Sequence, residues 1–178
     1  PEIRPVSERC TGPSAGPAAP IFSWFFNANM QIVQNQNYVM LLSEMNHDAR
    51  IIPLTAVEKP VNYPQWMGSS SGRWEGDTLV VETANFRPDH SWPVFVMSGE
   101  LQTVERFTLV SADEINYHLT ITDPEIYTEP VIVEKNIVRR AAGETLYEYA
   151  CHEGNYGMFN ILRGKRVEER TESESGAQ

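Results

Sequence analysis

Glu44, His47, Asp48 and Arg50 fall in one short stretch and together hold the parts of an acid/base site. A histidine titrates near neutral pH, so His47 can take or give a proton. Asp48 can share that work, and Arg50 can stabilise a developing oxyanion. On a strand His47 would face one side while Asp48 and Arg50 share the other, where they could equally form a structural ion pair. A second group lies toward the other end of the chain: Tyr147, Glu148, Tyr149, His152, Glu153, Asn155 and Tyr156. If residues 145–150 are a strand, Tyr147, Tyr149 and Cys151 line one face and Glu148 the opposite one. A carboxylate turned into an aromatic-lined interior has a raised pKa, which suits proton transfer; turned outward it is only a solvated charge. His152 to Asn155 can serve a site, or can cap a following helix with polar groups.

A third group is aromatic and carried by loops: Tyr63, Trp66, Trp74 and Trp92, with Asp89 and His90 between prolines. Loops at the mouth of a β-structure are where ligand contacts concentrate, so Tyr63, Trp66 and Trp92 are candidates to cover an apolar or aromatic molecule. Trp74 reads more simply as packing beside a hairpin. His118, flanked on its strand face by Asn116 and Thr120, lines a polar lumen or faces solvent. Nucleophile and phosphate chemistry find no support. There is no Gly-x-Ser-x-Gly elbow and no phosphate-cradling glycine loop. The four histidines (47, 90, 118 and 152) lack metal-ligand spacing, so neither a metal nor another cofactor is expected.

The elements that must position these residues are short strands. Residues 30–34 and 38–44 flank the turn-like Asn35-Gln-Asn37, and 47–53 is a third strand that ends at its proline. Gly76-Asp77 splits a hairpin whose second strand runs over 78–86. Residues 101–110, 115–121, 131–139 and 145–150 complete the series. In residues 115–121 the alternation is clean: Ile115, Tyr117, Leu119 and Ile121 take one face, Asn116, His118 and Thr120 the other. Only residues 155–166 have a helical stripe, from Met158, Phe159, Ile161 and Leu162. Strands at this spacing predict an all-β fold, an antiparallel barrel of about eight strands with a short C-terminal helix, lipocalin- or calycin-like. Residues 1–20, rich in proline, are expected as an extended arm, 21–167 as a single domain, and 168–178 as a polar tail.

The bulk composition restricts the partners. With 178 residues the chain can bury one sizeable core. A formal net charge of −10 disfavours nucleic acid, and no apolar run reaches bilayer length, so membrane insertion is not expected. The chain begins at Pro1, as a processed secretory protein or a trimmed chain would. Cys10 and Cys151, near opposite ends, either form a disulfide or are two unrelated thiols.

Several blocks together resemble a large family of uncharacterised, usually exported bacterial β-rich proteins. They are Gly72-Arg-Trp-Glu-Gly-Asp-Thr-Leu-Val-Val-Glu-Thr83, Glu105-Arg-Phe107, Asp123-Pro124, Tyr147-Glu-Tyr-Ala-Cys-His-Glu-Gly-Asn-Tyr156 and Ile161-Leu-Arg-Gly164. Residues 44–52 fit as well, and the likeness covers residues 9 to 169. The resemblance implies a periplasmic or secreted β-domain, and because both cysteines match family positions it favours their pairing.

The functional expectation is a cofactor-independent acid/base enzyme of lyase/dehydratase, isomerase or cyclase type. It would act on an apolar or aromatic small molecule, with His47, Asp48, Arg50, Glu148 and His152 as catalytic residues. Tyr63, Trp66, Trp92, His118, Tyr147, Tyr149 and Tyr156 would bind substrate. The alternative is a lipocalin-like carrier or sensor of a hydrophobic ligand, without turnover; a homo-oligomer is compatible with either. An interaction module within a larger exported protein is a third class.

Overall fold

Polar side chains close the turns that organise the first strands. Asn35 Oδ1 accepts from the backbone N–H groups of Asn37 and Tyr38, both at 2.8 Å, and the Asn35 N–H reaches the Tyr38 carbonyl at 2.9 Å. Such a side-chain turn fixes the register of β1 (Met30–Gln34) on β2 (Tyr38–Ser43), with Gln34 opposite Val39. The computed structural model describes residues 9–10, 20–21, 28–55, 63–88 and 95–175. The expected arm lies outside them, apart from residues 9–10 and 20.

After β2 the chain makes a 3-10 turn, Met45–His47, in which Asn46 and His47 both take positive φ. The third strand therefore starts at Ala49 and not at His47: β3 is Ala49–Pro53. β1, β2 and β3 form an antiparallel three-stranded sheet.

The second sheet is a five-stranded antiparallel meander, β4 (Ser69–Glu75), β5 (Thr78–Ala84), β6 (Gln102–Ser111), β7 (Glu114–Thr122) and β8 (Val131–Val138). Gly76, at φ +60°, takes the first central position of the β4–β5 turn, with Glu75 opposite Thr78. That conformation favours glycine over any residue with a Cβ. On β7, Tyr117, Leu119 and Ile121 are buried as the alternation predicts, and His118 sits on the opposite, outer face. Burying each aliphatic of that row contributes roughly 1.5–3 kcal/mol.

The sheets meet face to face through side chains. Val39, Leu41 and Ile52 of the small sheet join Leu79, Val81, Phe107 and Tyr117 of the large one in a single apolar cluster. Gly72 allows the close approach: a Cβ there would lie 2.8 Å from Ile52 Cγ2. Among the described residues no hydrogen-bond ladder joins β3 to β4 or β1 to β8. The architecture is thus mostly β, two antiparallel sheets followed by a helix.

Residues 145–150, expected as a strand, are not one. Their backbone donors go to side chains: the Tyr147 N–H to Glu44 Oε2 at 3.2 Å and the Tyr149 N–H to His47 Nε2 at 3.0 Å. No ladder can form from groups already used. The helix α1 spans Tyr156–Ser175, longer than the expected 155–166, and takes up most of the expected polar tail. Asn155 caps it, its Oδ1 accepting from the Met158 N–H at 3.1 Å. The helix is rich in Glu and Arg, good helix formers, and Lys165 pairs with Glu168 one turn on. No side chain of α1 is fully buried, and among the described residues no helix is long and apolar enough to cross a membrane. Cys10 and Cys151 form a disulfide that ties the N-terminal part to the segment before α1.

Candidate functional site

Among the described residues Glu44, Arg50, Glu105 and Asp123 are buried charged groups, and two of them pair across the sheets. Arg50 on β3 and Glu105 on β6 are both buried and form an ion pair between the two sheets. The Arg50 guanidinium also donates to Thr83 Oγ1 at 2.6 Å and, through Nε, to Ser70 Oγ at 2.9 Å. Tyr117 donates its hydroxyl to Glu105 Oε1 at 2.8 Å and accepts from the Ile21 N–H at 3.2 Å. Burial, and then the Glu105 charge, hold the Tyr117 phenol well above its ordinary pKa. Ser70, Thr83 and Tyr117 surround the pair with hydrogen bonds, which is how a buried ion pair is tolerated. Arg50 is thus engaged with Ser70, Thr83 and Glu105 in the core.

A second cluster forms where the 3-10 turn meets residues 147–149. Glu44, itself buried, accepts from Asn29 Nδ2 at 3.1 Å and from the Tyr147 N–H, with the Arg140 guanidinium 3.9 Å away. His47 is exposed, and its Nε2 accepts from the Tyr149 N–H, which leaves Nδ1 to carry the proton of the neutral ring. Burial pushes the neighbouring Asp48 carboxyl up to about 6. Two groups far apart in sequence, 44–48 and 147–149, are thus brought together.

The remaining candidates are dispersed. Glu148 and His152 are exposed, as are Tyr147 and Tyr156, and Tyr149 is half-buried. His118 stands on the outer face between Arg106 and Glu134 in cross-strand register. Tyr63 is exposed, and Trp66 lies under the Arg87 guanidinium at 4.1 Å. Trp92, Asp89 and His90 fall outside the described residues. Arg73, Glu75, Glu82 and Arg106 form an ion-pair network on the outside of the β4–β6 hairpins, so the charges of the Gly72–Thr83 block serve the surface.

One concavity lies between β1 of the small sheet and β7–β8 of the large one. A cleft of about 900 Å³ is lined by Met30 and Ile32 of β1, Ile115 of β7, and Lys135 and Ile137 of β8, with Arg139, Arg140 and Glu144 at its rim. A second hollow of about 590 Å³ is lined by Val39, Leu41, Leu79, Phe107 and the half-exposed Trp74. Ile32, Leu109 and Ile115 line both. Trp74 is thus wall and not core. Of the acid/base cluster only Glu44 is linked to the cleft, through its partners Asn29 and Arg140, which line it.

Glu105, Tyr117 and Lys135 were not among the residues expected from sequence to act. Their signal is a polar group on the inward face of an alternating strand: Glu105 between Thr103 and Phe107, Lys135 between Val133 and Ile137. Among the described residues no group of three His, Cys, Asp or Glu is placed to hold a metal ion. Comparison with protein-family models, with curated proteins and with solved structures gives no match.

Proposed function

We propose that this chain binds an apolar or aromatic small molecule in the cleft between β1 and β7–β8, as a lipocalin-like carrier or sensor. One observation carries the reading: two hollows share an aliphatic wall of Ile32, Leu109 and Ile115, of a size that suits a small ligand. His47, Asp48, Glu148 and His152 do not line that wall. A barrel-like arrangement of the strands fits the same reading. A periplasmic or secreted location fits the Cys10–Cys151 bond, since disulfides persist in oxidising compartments. Both fit the exported bacterial family that the Gly72–Thr83 and Tyr147–Tyr156 blocks resemble.

The second reading is the cofactor-independent acid/base enzyme, of lyase, isomerase or cyclase type. Asp48 favours it, because a carboxyl with a pKa of about 6 can exchange protons near neutrality. One experiment separates the two. The protein is incubated with aromatic and terpenoid compounds, binding is followed by native mass spectrometry and Trp74 emission, and products by mass spectrometry. Binding without conversion is the expected result. Conversion that is lost in Asp48→Asn establishes the enzyme instead, and absence of binding sinks both.

A further inference from the structure

We infer that the molecule held between the sheets is a single long, unbranched hydrocarbon chain with a polar end, lying along β1 with its tail under Trp74. The inference rests on the binding reading above and names its ligand class. Met30, Ile32 and Gln34 of β1 share the inward face, since their partners in register are Ser43, Leu41 and Val39 of β2, all buried. Trp74 of β4 faces inward opposite Leu79, and Leu109 of β6 faces inward opposite Ile115 of β7. Inward apolar side chains are normally covered by the facing sheet, as Val39, Leu79 and Phe107 are here. Ile32, Trp74 and Leu109 are instead 39%, 49% and 59% exposed. A row of large apolar side chains on the inner faces is thus left open between the sheets, and an open apolar patch of this kind marks a binding surface.

That row joins the two hollows. Met30 and Ile32 line the first, Ile32 and Gln34 the second, so the hollows follow each other along β1. Over its five residues the strand advances about 13 Å. Where the hollows meet, Ile32 of one sheet and Leu109 and Ile115 of the other line both. A closed partition at that point would bury its members, whereas Ile32 and Leu109 are open. The space is therefore one elongated groove, which an extended chain fills and a compact ring does not. Its two ends differ. The far end, beside the β4–β5 turn, is walled by Trp74, Leu79 and Phe107. The near end opens on exposed ion pairs, Asp113 with Arg139 at 2.8 Å and Arg140 with Glu144 at 2.6 Å. A hydrocarbon tail gains most under Trp74, about fourfold in affinity for each methylene taken out of water. A polar head loses least at the hydrated rim.

The test titrates the full chain by calorimetry with hexan-1-ol, octan-1-ol, decan-1-ol and dodecan-1-ol, and with borneol as a compact ring alcohol. Affinity should rise by about fourfold per methylene through dodecan-1-ol. Gln34→Trp fills the second hollow from an exposed position that does not line the first. It should leave hexan-1-ol bound as before and weaken dodecan-1-ol by about tenfold or more. Three results overturn the extended chain and leave the cleft reading standing: a rise that stops at octan-1-ol, dodecan-1-ol bound equally by Gln34→Trp, or borneol bound as tightly as dodecan-1-ol. If no alcohol and no aromatic or terpenoid compound binds, both fail. Should Gln34→Trp not fold by circular dichroism, tryptophan emission decides instead. Dodecan-1-ol must shift the emission of the wild type, and that shift must be lost in Trp74→Phe; a shift that persists there overturns the inference.

Discussion

Arg50 and Lys135 both feel the charge of the Glu105 carboxylate, yet their surroundings differ. Arg50, on β3, is sealed between the sheets and bonds to Ser70, Thr83 and Glu105. Lys135, on the edge strand β8, keeps one side on the cleft. A sealed cation is part of the scaffold, because every bond it makes is internal and removing it strands a buried charge. A cation that lines a cavity wall is only half-buried, so its removal costs the fold less.

The sharpest way to break this comparison is Arg50→Met, which leaves Glu105 buried without its cation. Stability should fall by about 3–5 kcal/mol, read from urea unfolding. A loss below about 1 kcal/mol would mean the ion pair is not the anchor between the sheets. Tyr117→Phe removes one donor from Glu105 and should cost about 1–2 kcal/mol, with the fold retained.

Asp48 extends the comparison to the rim. Its folded pKa is raised from 3.8 to about 6, so the folded state holds more protons than the unfolded one in that window. Stability should therefore fall as pH rises from about 4 to 6. Asp48→Asn removes that dependence, and the variant should gain about 1 kcal/mol on the wild type between pH 4 and pH 7.5, since solvent screens part of the effect. Thermal unfolding of both proteins across the range would show it; parallel curves would contradict it.

Lys135→Met should have the smallest effect. At pH 7 it should raise stability by less than about 1 kcal/mol, because a half-buried charge is replaced by an apolar chain of similar length. The Lys135 pKa is lowered from 10.5 to about 8, so between those values the unfolded state holds more protons. The wild type should then recover against the variant as pH rises through that window. A clear loss of stability in Lys135→Met would place Lys135 with Arg50 in the scaffold and remove the contrast.

Much of the β-structure was legible because its causes are local. The alternation of residues 115–121 and the Gly76-Asp77 turn specify strands without help from distant residues, and β7 and the β4–β5 hairpin follow them. Residues 145–150 also read as a strand from sequence but are not one, and Glu44 and His47, remote in sequence, take the Tyr147 and Tyr149 backbone donors. The Glu105-Arg-Phe107 stretch reads as a strand, yet nothing near it discloses that Arg50 is its partner. Of the expected site residues, His47 and Glu44 do meet Tyr147 and Tyr149, but by a backbone route that no spacing rule contains.

Period and turn chemistry act over a few residues, so the amino-acid order alone settles a mostly β chain with a helix near its end and two cysteines able to join. Where the sheets stop, which edges face each other and which charges are sealed depend on pairs separated by dozens of residues. Those are set by packing and desolvation across the fold. The cleft between β1 and β8 is such a feature: among the described residues no ladder joins those strands, and residues from both line it.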